Sequence, residues 1–134
     1  MRNNLLVTGG AGFIGTNFVR YWQEEYPDDR VIVLDALTYA GKKNNLKKFI
    51  GAENFVFIHG SIGDQKLVDH VFKNYEINRV VHFAAESHVD RSIAGPDDFI
   101  NTNIIGTYIL LKSAYASWSE RGISNHLFHH ISTD

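Results

Sequence analysis

The stretch that most narrows what this chain can fold into is Gly9-Gly10-Ala11-Gly12-Phe13-Ile14-Gly15, which follows the apolar run Leu5-Leu6-Val7-Thr8. It satisfies G-x-x-G-x-x-G through Gly9, Gly12 and Gly15, and G-x-G-x-x-G through Gly10, Gly12 and Gly15. A backbone that leaves a strand, turns on glycines and enters a helix brings unpaired helix N–H groups and the positive end of the helix dipole to one point, which is an anion site. On its own a glycine-rich turn is often only a turn. Its weight here comes from context: a strand before, a helix after, and Asp35 closing the next apolar run about 20 residues beyond Gly15. A carboxylate there accepts the hydroxyls of an adenosine ribose and repels a 2′-phosphate, which favours NAD over NADP. Lys42 and Lys43 follow closely, and basic side chains can accept a 2′-phosphate; we read them as a solvated helix face.

Strand-like and helix-like segments alternate along the rest of the chain. Phe13 to Tyr26 carries Ile14, Phe18, Tyr21, Trp22 and Tyr26 at helical spacing, and Pro27 ends it. Arg30 to Asp35 contains Val31-Ile32-Val33-Leu34, apolar on both faces, as a covered parallel strand requires. Tyr39 to Ile50 reads as a turn and short helix, and Phe55 to His59 as a third strand. Asp64 can cap a helix bearing Leu67, Val68, Val71, Phe72 and Tyr75, and Arg79 to Phe83 is a fourth strand. Pro96-Asp97-Asp98 opens a long helix with apolar residues at Phe99, Ile100, Ile104, Tyr108, Leu111, Tyr115 and Trp118. A fifth strand lies near His126 to Ser132. This alternation predicts an α/β fold, a Rossmann-like doubly wound parallel sheet with strand order 3-2-1-4-5. Ligands in such sheets bind beyond the carboxyl ends of the strands, where the order reverses. The chemistry is therefore expected just after Thr8, Asp35, His59, Phe83 and Ser132.

The 134 residues suffice for one domain with a core, and the net charge of -2 gives no reason to expect nucleic acid or a membrane surface as partner. No run is long and apolar enough to span a bilayer. Without cysteine, disulfides, thiolate metal sites and cysteine nucleophiles are excluded, which fits a cytoplasmic protein. His126, His129 and His130 are read as structural and no metal is expected, because neighbouring strand residues point to opposite faces.

Four stretches carry a family resemblance. Thr8 to Gly15, TGGAGFIG, resembles the extended short-chain dehydrogenase/reductase family of nucleotide-sugar enzymes. Asp35 to Gly41 (DALTYAG), Ala84 to Ser92 (AAESHVDRS) and Phe128 to Asp134 (FHHISTD) are similar to segments of the dTDP-glucose 4,6-dehydratases within it. The resemblance spans the whole chain and implies residue roles. Phe13 and Ile14 would present N–H groups to the pyrophosphate of NAD. Asp35 and Thr38 would hold the adenosine ribose, Ala36 and Leu37 would contact the cofactor, and Ser61 and Ile62 would flank adenine, although an aspartate is usual where Ser61 stands. Ala84, Ala85, Ser87 and Thr102 would line the cofactor, Asn103 would steady the site, and Glu86, His88 and Thr133 would face the sugar nucleotide. Ala84 and Ala85 also suit a tight strand-to-helix passage, Ser87 a helix cap, and Asp90 with Arg91 an ordinary ion pair.

In that family the sugar's 4-hydroxyl is oxidised by NAD, the C5 proton becomes acidic, water leaves across C5 and C6, and hydride returns to C6. The resemblance assigns Thr133 to the sugar hydroxyl and Asp134 to the acid, which must keep its proton near neutral pH. It places the C5 base and a Tyr-x-x-x-Lys pair past Asp134. Residues 1–134 are therefore expected to be the NAD-binding domain of a longer, homodimeric protein whose substrate domain follows, inactive as a separate piece. Tyr39 with Lys43, and Tyr108 with Lys112, share the Tyr-x-x-x-Lys spacing but lie at the adenine end and on the long helix; Tyr108 is read as packing. The alternatives are another nucleotide-sugar epimerase, decarboxylase or 4,6-dehydratase, or a non-catalytic NAD-binding module.

Overall fold

A strand that is apolar on both sides needs cover on both sides, and each strand-helix unit supplies it. In the computed structural model, which describes residues 2–37, 42–84 and 96–132, β1 (Asn4–Thr8) leads through α1 (Phe13–Glu25) to β2 (Arg30–Asp35). A short 3-10 turn (Lys43–Leu46) precedes β3 (Phe55–His59), and α2 (Gln65–Asn74) leads to β4 (Arg79–His82). Then come α3 (Pro96–Ile100), a π-helical segment (Asn101–Gly106), α4 (Thr107–Arg121) and β5 (Leu127–His130). All strands pair in parallel, in the order β3-β2-β1-β4-β5, as the alternation predicts.

The two-residue period of a strand sorts its side chains into two cores. Leu5, Val7, Val31, Val33 and Val81 turn toward Val19 of α1 and Leu46. Leu6, Ile32, Leu34 and Val80 turn toward Val68, Val71 and Phe72 of α2 and Leu110, Ala114 and Trp118 of α4. Register keeps the layers aligned, with Leu6 opposite Ile32 and Val80, and Val7 opposite Val33 and Val81. Helix ends follow local chemistry. The Asp64 carboxylate accepts the Leu67 N–H at 3.2 Å and caps α2, which is worth about 1 kcal/mol. Gly122, at φ 64, ends α4 in the left-handed conformation. The Trp118 indole donates to the Ile77 carbonyl at 2.8 Å and stacks on His126. At the amino ends of the strands, the Asp29 carboxylate accepts the Asn3 N–H at 2.8 Å and the Trp22 indole N–H at 3.1 Å.

Two features depart from the sequence expectation. The helix opened by Pro96 is not uniform: a π-helical segment separates α3 from α4. Gly106 closes it against Ile62, where an added Cβ would lie 2.6 Å from the isoleucine side chain. The widened turn thus brings backbone, not a side chain, onto the β3–α2 loop. Such turns are frequent at functional sites. Second, of the apolar residues Phe99, Ile100, Ile104, Tyr108, Leu111, Tyr115 and Trp118, only Trp118 is buried. The buried face of α4 is Thr107, Leu110, Ser113, Ala114 and Trp118, while Ile104, Tyr108, Leu111 and Tyr115 are exposed. Close approach to α2 requires small and polar residues: Ser113 Oγ donates to the Asp69 carboxylate at 2.7 Å and accepts from Gln65 at 2.8 Å. Tyr108 therefore does not pack into the core, and Lys112 lies over its ring at 6.0 Å. No helix among the described residues is long and apolar enough to cross a membrane.

Candidate functional site at the carboxyl edge of the sheet

The first turn after β1 is built with no spare volume. Gly9 has φ 71, its N–H donates to the Leu34 carbonyl at 3.0 Å, and a Cβ there would lie 2.7 Å from the Ala84 nitrogen. A Cβ on Gly15 would lie 2.2 Å from the Gly9 carbonyl oxygen. Both glycines are therefore required by contact between backbones. Gly12 is the N-cap of α1, in extended conformation, with no side chain to satisfy the helix's first N–H groups. Phe13 and Ile14 follow at 82% and 65% exposure. The helix start is an open, uncapped set of donors, in contrast to the capped start of α2.

Asp35 ends β2 beside this turn and is 8% exposed. One carboxylate oxygen accepts the Ala11 N–H at 2.9 Å and the other accepts the Leu37 N–H at 2.7 Å. The second bond stabilises Leu37 at φ 55, a region that non-glycine residues rarely adopt. With one N–H on each oxygen among the described residues, the carboxylate is held in one orientation, and each oxygen has a second lone pair. The Ala11 carbonyl accepts in turn from the Lys42 N–H at 3.1 Å and the Asn45 side-chain amide at 2.8 Å. Asn45, which sequence reasoning did not single out, thus ties the segment after β2 to the glycine turn. Lys43 lies over the Phe57 ring at 5.5 Å. Ala36 is exposed, and its carbonyl is 3.1 Å from His59 Nε2.

The other expected residues occupy different environments. Ser61 is exposed and its hydroxyl accepts the Gly63 N–H at 3.0 Å, whereas the Ile62 side chain, 5% exposed, is committed to the core against Gly106. Any contact of Ile62 with a ligand is left to its backbone. Thr102 and Asn103 are half-buried in the π-helical segment, and Ala84 is half-buried where the chain leaves β4. Thr38, Ala85, Glu86, Ser87, His88, Thr133 and Asp134 lie outside the described residues, as do Tyr39, Asp90 and Arg91. No group of three or more His, Asp or Glu side chains that could hold a metal ion is found among the described residues.

Sequence reasoning also passed over His82. It ends β4 at 1% exposure, with Nδ1 2.6 Å from Thr8 Oγ1 and Nε2 2.8 Å from Thr107 Oγ1. The available signal was a lone imidazole in a strand otherwise apolar at its centre. Burial, and secondarily the neighbouring His130 imidazole with its ring centre 5.1 Å away, push the His82 pKa from 6.5 down to about 4. Between these values the unfolded chain holds a proton that the folded chain does not. The His82 contribution to stability is therefore fully present above about pH 6.5 and is lost as pH falls toward 4, by roughly 3 kcal/mol in total. Urea unfolding followed across this window should show that loss, and His82→Gln, which has no titrating group, should show a shallower pH dependence. Parallel curves for the two proteins would remove His82 as the cause.

The sequence matches the family described as GDP-mannose 4,6 dehydratase over residues 6–134. The dTDP-glucose 4,6-dehydratase of Escherichia coli is 48% identical over 133 residues, which cover 97% of this chain and 36% of that protein. Among solved structures, the dTDP-glucose 4,6-dehydratase of Bacillus anthracis in complex with NAD superposes with a TM-score of 0.79 at 39% identity, over 98% of this chain and 37% of that one. DesIV, the dTDP-glucose 4,6-dehydratase of Streptomyces venezuelae with NAD and TYD bound, does so with a TM-score of 0.77 at 50% identity, over 87% of this chain and 36% of that one. The chain thus spans little more than a third of the length of these relatives. With a match over nearly all its residues and relatives this similar along its length, the chain belongs to the GDP-mannose 4,6 dehydratase family.

Proposed function

We propose that this chain binds NAD and that the protein carrying it dehydrates dTDP-glucose to the 4-keto-6-deoxy sugar. The observation that carries the cofactor reading is the Asp35 carboxylate, oriented by the Ala11 and Leu37 N–H groups at the end of β2, beside an uncapped helix start. Its second lone pairs suit the two ribose hydroxyls, and its charge opposes a 2′-phosphate. Lys43 lies over the Phe57 ring at 5.5 Å. The N–H groups of Phe13 and Ile14 bind the pyrophosphate, the Ser61 hydroxyl and the Ile62 backbone flank adenine, and Thr38, Ala84, Ala85, Ser87 and Thr102 complete the lining. NAD, when bound, supplies the hydride acceptor of the oxidation and the hydride donor of the return. Glu86, His88 and Thr133 face the sugar, and Asp134 gives its proton to the departing hydroxyl. Solved relatives holding NAD, and relatives named for dTDP-glucose, support this reading.

A second copy of the chain is the proposed partner, at the exposed stripe Ile104, Tyr108, Leu111 and Tyr115. Tyr108, Leu111 and Tyr115 recur at the i, i+3 and i+7 positions of α4, the spacing of a helix-to-helix seam, and Ile104 precedes them in the π-helical segment. The cysteine-free composition fits a cytoplasmic location.

Three measurements test these readings. Calorimetric titration should show NAD binding at least about tenfold tighter than NADP, and Asp35→Ala should weaken NAD by about 10- to 100-fold and narrow the preference. Equal affinities for the two dinucleotides would remove the ribose role of Asp35. When the protein carrying this chain is offered dTDP-, UDP- and GDP-sugars, a 4-keto-6-deoxy product should form fastest from dTDP-glucose, with no net use of NAD. A 4-epimer as product would replace the dehydratase with an epimerase. Sedimentation equilibrium should show a dimer that the double substitution Leu111→Glu and Tyr115→Glu converts to a folded monomer. An unchanged mass would move the interface elsewhere.

A further inference from the structure

His82 joins three segments that converge where the strand order reverses. A neutral imidazole carries one donor and one acceptor nitrogen, and here both are engaged, by Thr8 Oγ1 at 2.6 Å and Thr107 Oγ1 at 2.8 Å. Thr8 Oγ1 also accepts the Ala84 N–H at 3.2 Å. Thr8 is the last residue of β1, directly before Gly9. Thr107 is the first residue of α4, directly after the π-helical segment. Ala84 lies where the chain leaves β4, against Gly9, so that the glycine turn and this exit touch through their backbones.

The donor and acceptor count selects one tautomer. Thr8 is fully buried and its hydroxyl has a single proton. With Ala84 donating to its oxygen, the acceptor found for that proton among the described residues is His82 Nδ1. Nδ1 must then be bare, and the imidazole proton sits on Nε2, donated to Thr107 Oγ1. Thr107 is 8% exposed and opens a helix, where a threonine hydroxyl commonly donates to a carbonyl of the preceding turn. The opposite tautomer would place two protons on the Thr8–His82 line or leave the Thr8 proton without an acceptor in a buried site, which is unfavourable.

We propose that His82, in its Nε2–H tautomer, is a positioning residue for the dinucleotide. Through Thr8 it holds the glycine turn against the β4 exit, and through Thr107 it fixes the start of α4 and the π-helical segment relative to both. The cofactor site is thereby assembled before a ligand arrives. His82 itself is too deeply buried to touch the dinucleotide. This inference rests on the NAD reading above.

Two measurements test it. In long-range proton–nitrogen spectra of the labelled chain at neutral pH, with no dinucleotide present, His82 should show a protonated Nε2 and a bare Nδ1. A protonated Nδ1, or an average of the two tautomers, overturns the proposal. In NAD titrations well below the melting temperature, Thr8→Val and Thr107→Val, which keep shape and lose the hydroxyl, should each weaken binding by about tenfold, while Thr8→Ser and Thr107→Ser stay within about twofold. Valine variants that melt earlier yet bind NAD as the unaltered chain does would show a purely structural network and overturn the positioning role alone. No binding by the unaltered chain would remove the NAD reading, and this inference with it. If one valine variant fails to fold, the other threonine pair and the tautomer decide.

Discussion

The backbone of Gly9 lies against the backbone leaving β4 with no room between them for a side chain, and the rest of the carboxyl edge depends on that contact. A Cβ at residue 9 would sit 2.7 Å from the Ala84 nitrogen, and one at residue 15 would sit 2.2 Å from the Gly9 oxygen. The end of β1, the start of α1 and the exit of β4 are thus one rigid piece. Asp35 is attached to it through the Ala11 N–H, the segment after β2 through the Ala11 carbonyl, and α4 through Thr107 and His82. Backbone contacts of this kind do not give way as a flexible side chain would, because protein interiors are close-packed and respond to added volume by strain.

The two ends of the sheet use polar groups differently. At the amino ends, the Asp29 carboxylate takes donors from Asn3 and Trp22 and so closes off the edge. At the carboxyl ends, Asp35 takes one N–H per oxygen among the described residues, and α1 starts without a side-chain cap although α2 has one. In a parallel sheet with helices on both faces the central strands β1, β2 and β4 are buried, and their ends stay open. Functional groups therefore collect at the edge where the helix N-termini point. The polarity of the helices, positive at the start, selects the carboxyl edge for an anionic ligand.

Much of this was legible from residue order. Val31 to Leu34 reads as covered on both sides because a strand's side chains alternate and all of these are apolar; the strands fall into two cores as that alternation requires. Gly9, Gly15 and Asp35 were legible because their roles follow from local backbone geometry and a spacing set by one strand-helix-strand unit. Other features were not. Ile104, Tyr108, Leu111 and Tyr115 have core-like spacing yet face outward, since periodicity identifies an apolar face without saying what it packs against. Ser61 and Ile62 are neighbours in sequence but one is exposed and the other is in the core, because a loop has no fixed period.

By itself, then, the sequence determined the α/β class, the strand order and the place of the glycine turn and its acid. Each of these follows from short-range pattern, glycine's freedom at positive φ and the handedness of strand-helix-strand crossovers. Only the tertiary structure decided that Thr8, His82 and Thr107 meet, that Asn45 reaches Ala11, and that the helix after Pro96 widens at Gly106 to seat on Ile62. Those contacts join residues from 25 to 74 positions apart. They exist because packing two layers of helices on one sheet brings strand ends and helix starts to the same edge, a consequence of the whole chain's volume that no local pattern encodes.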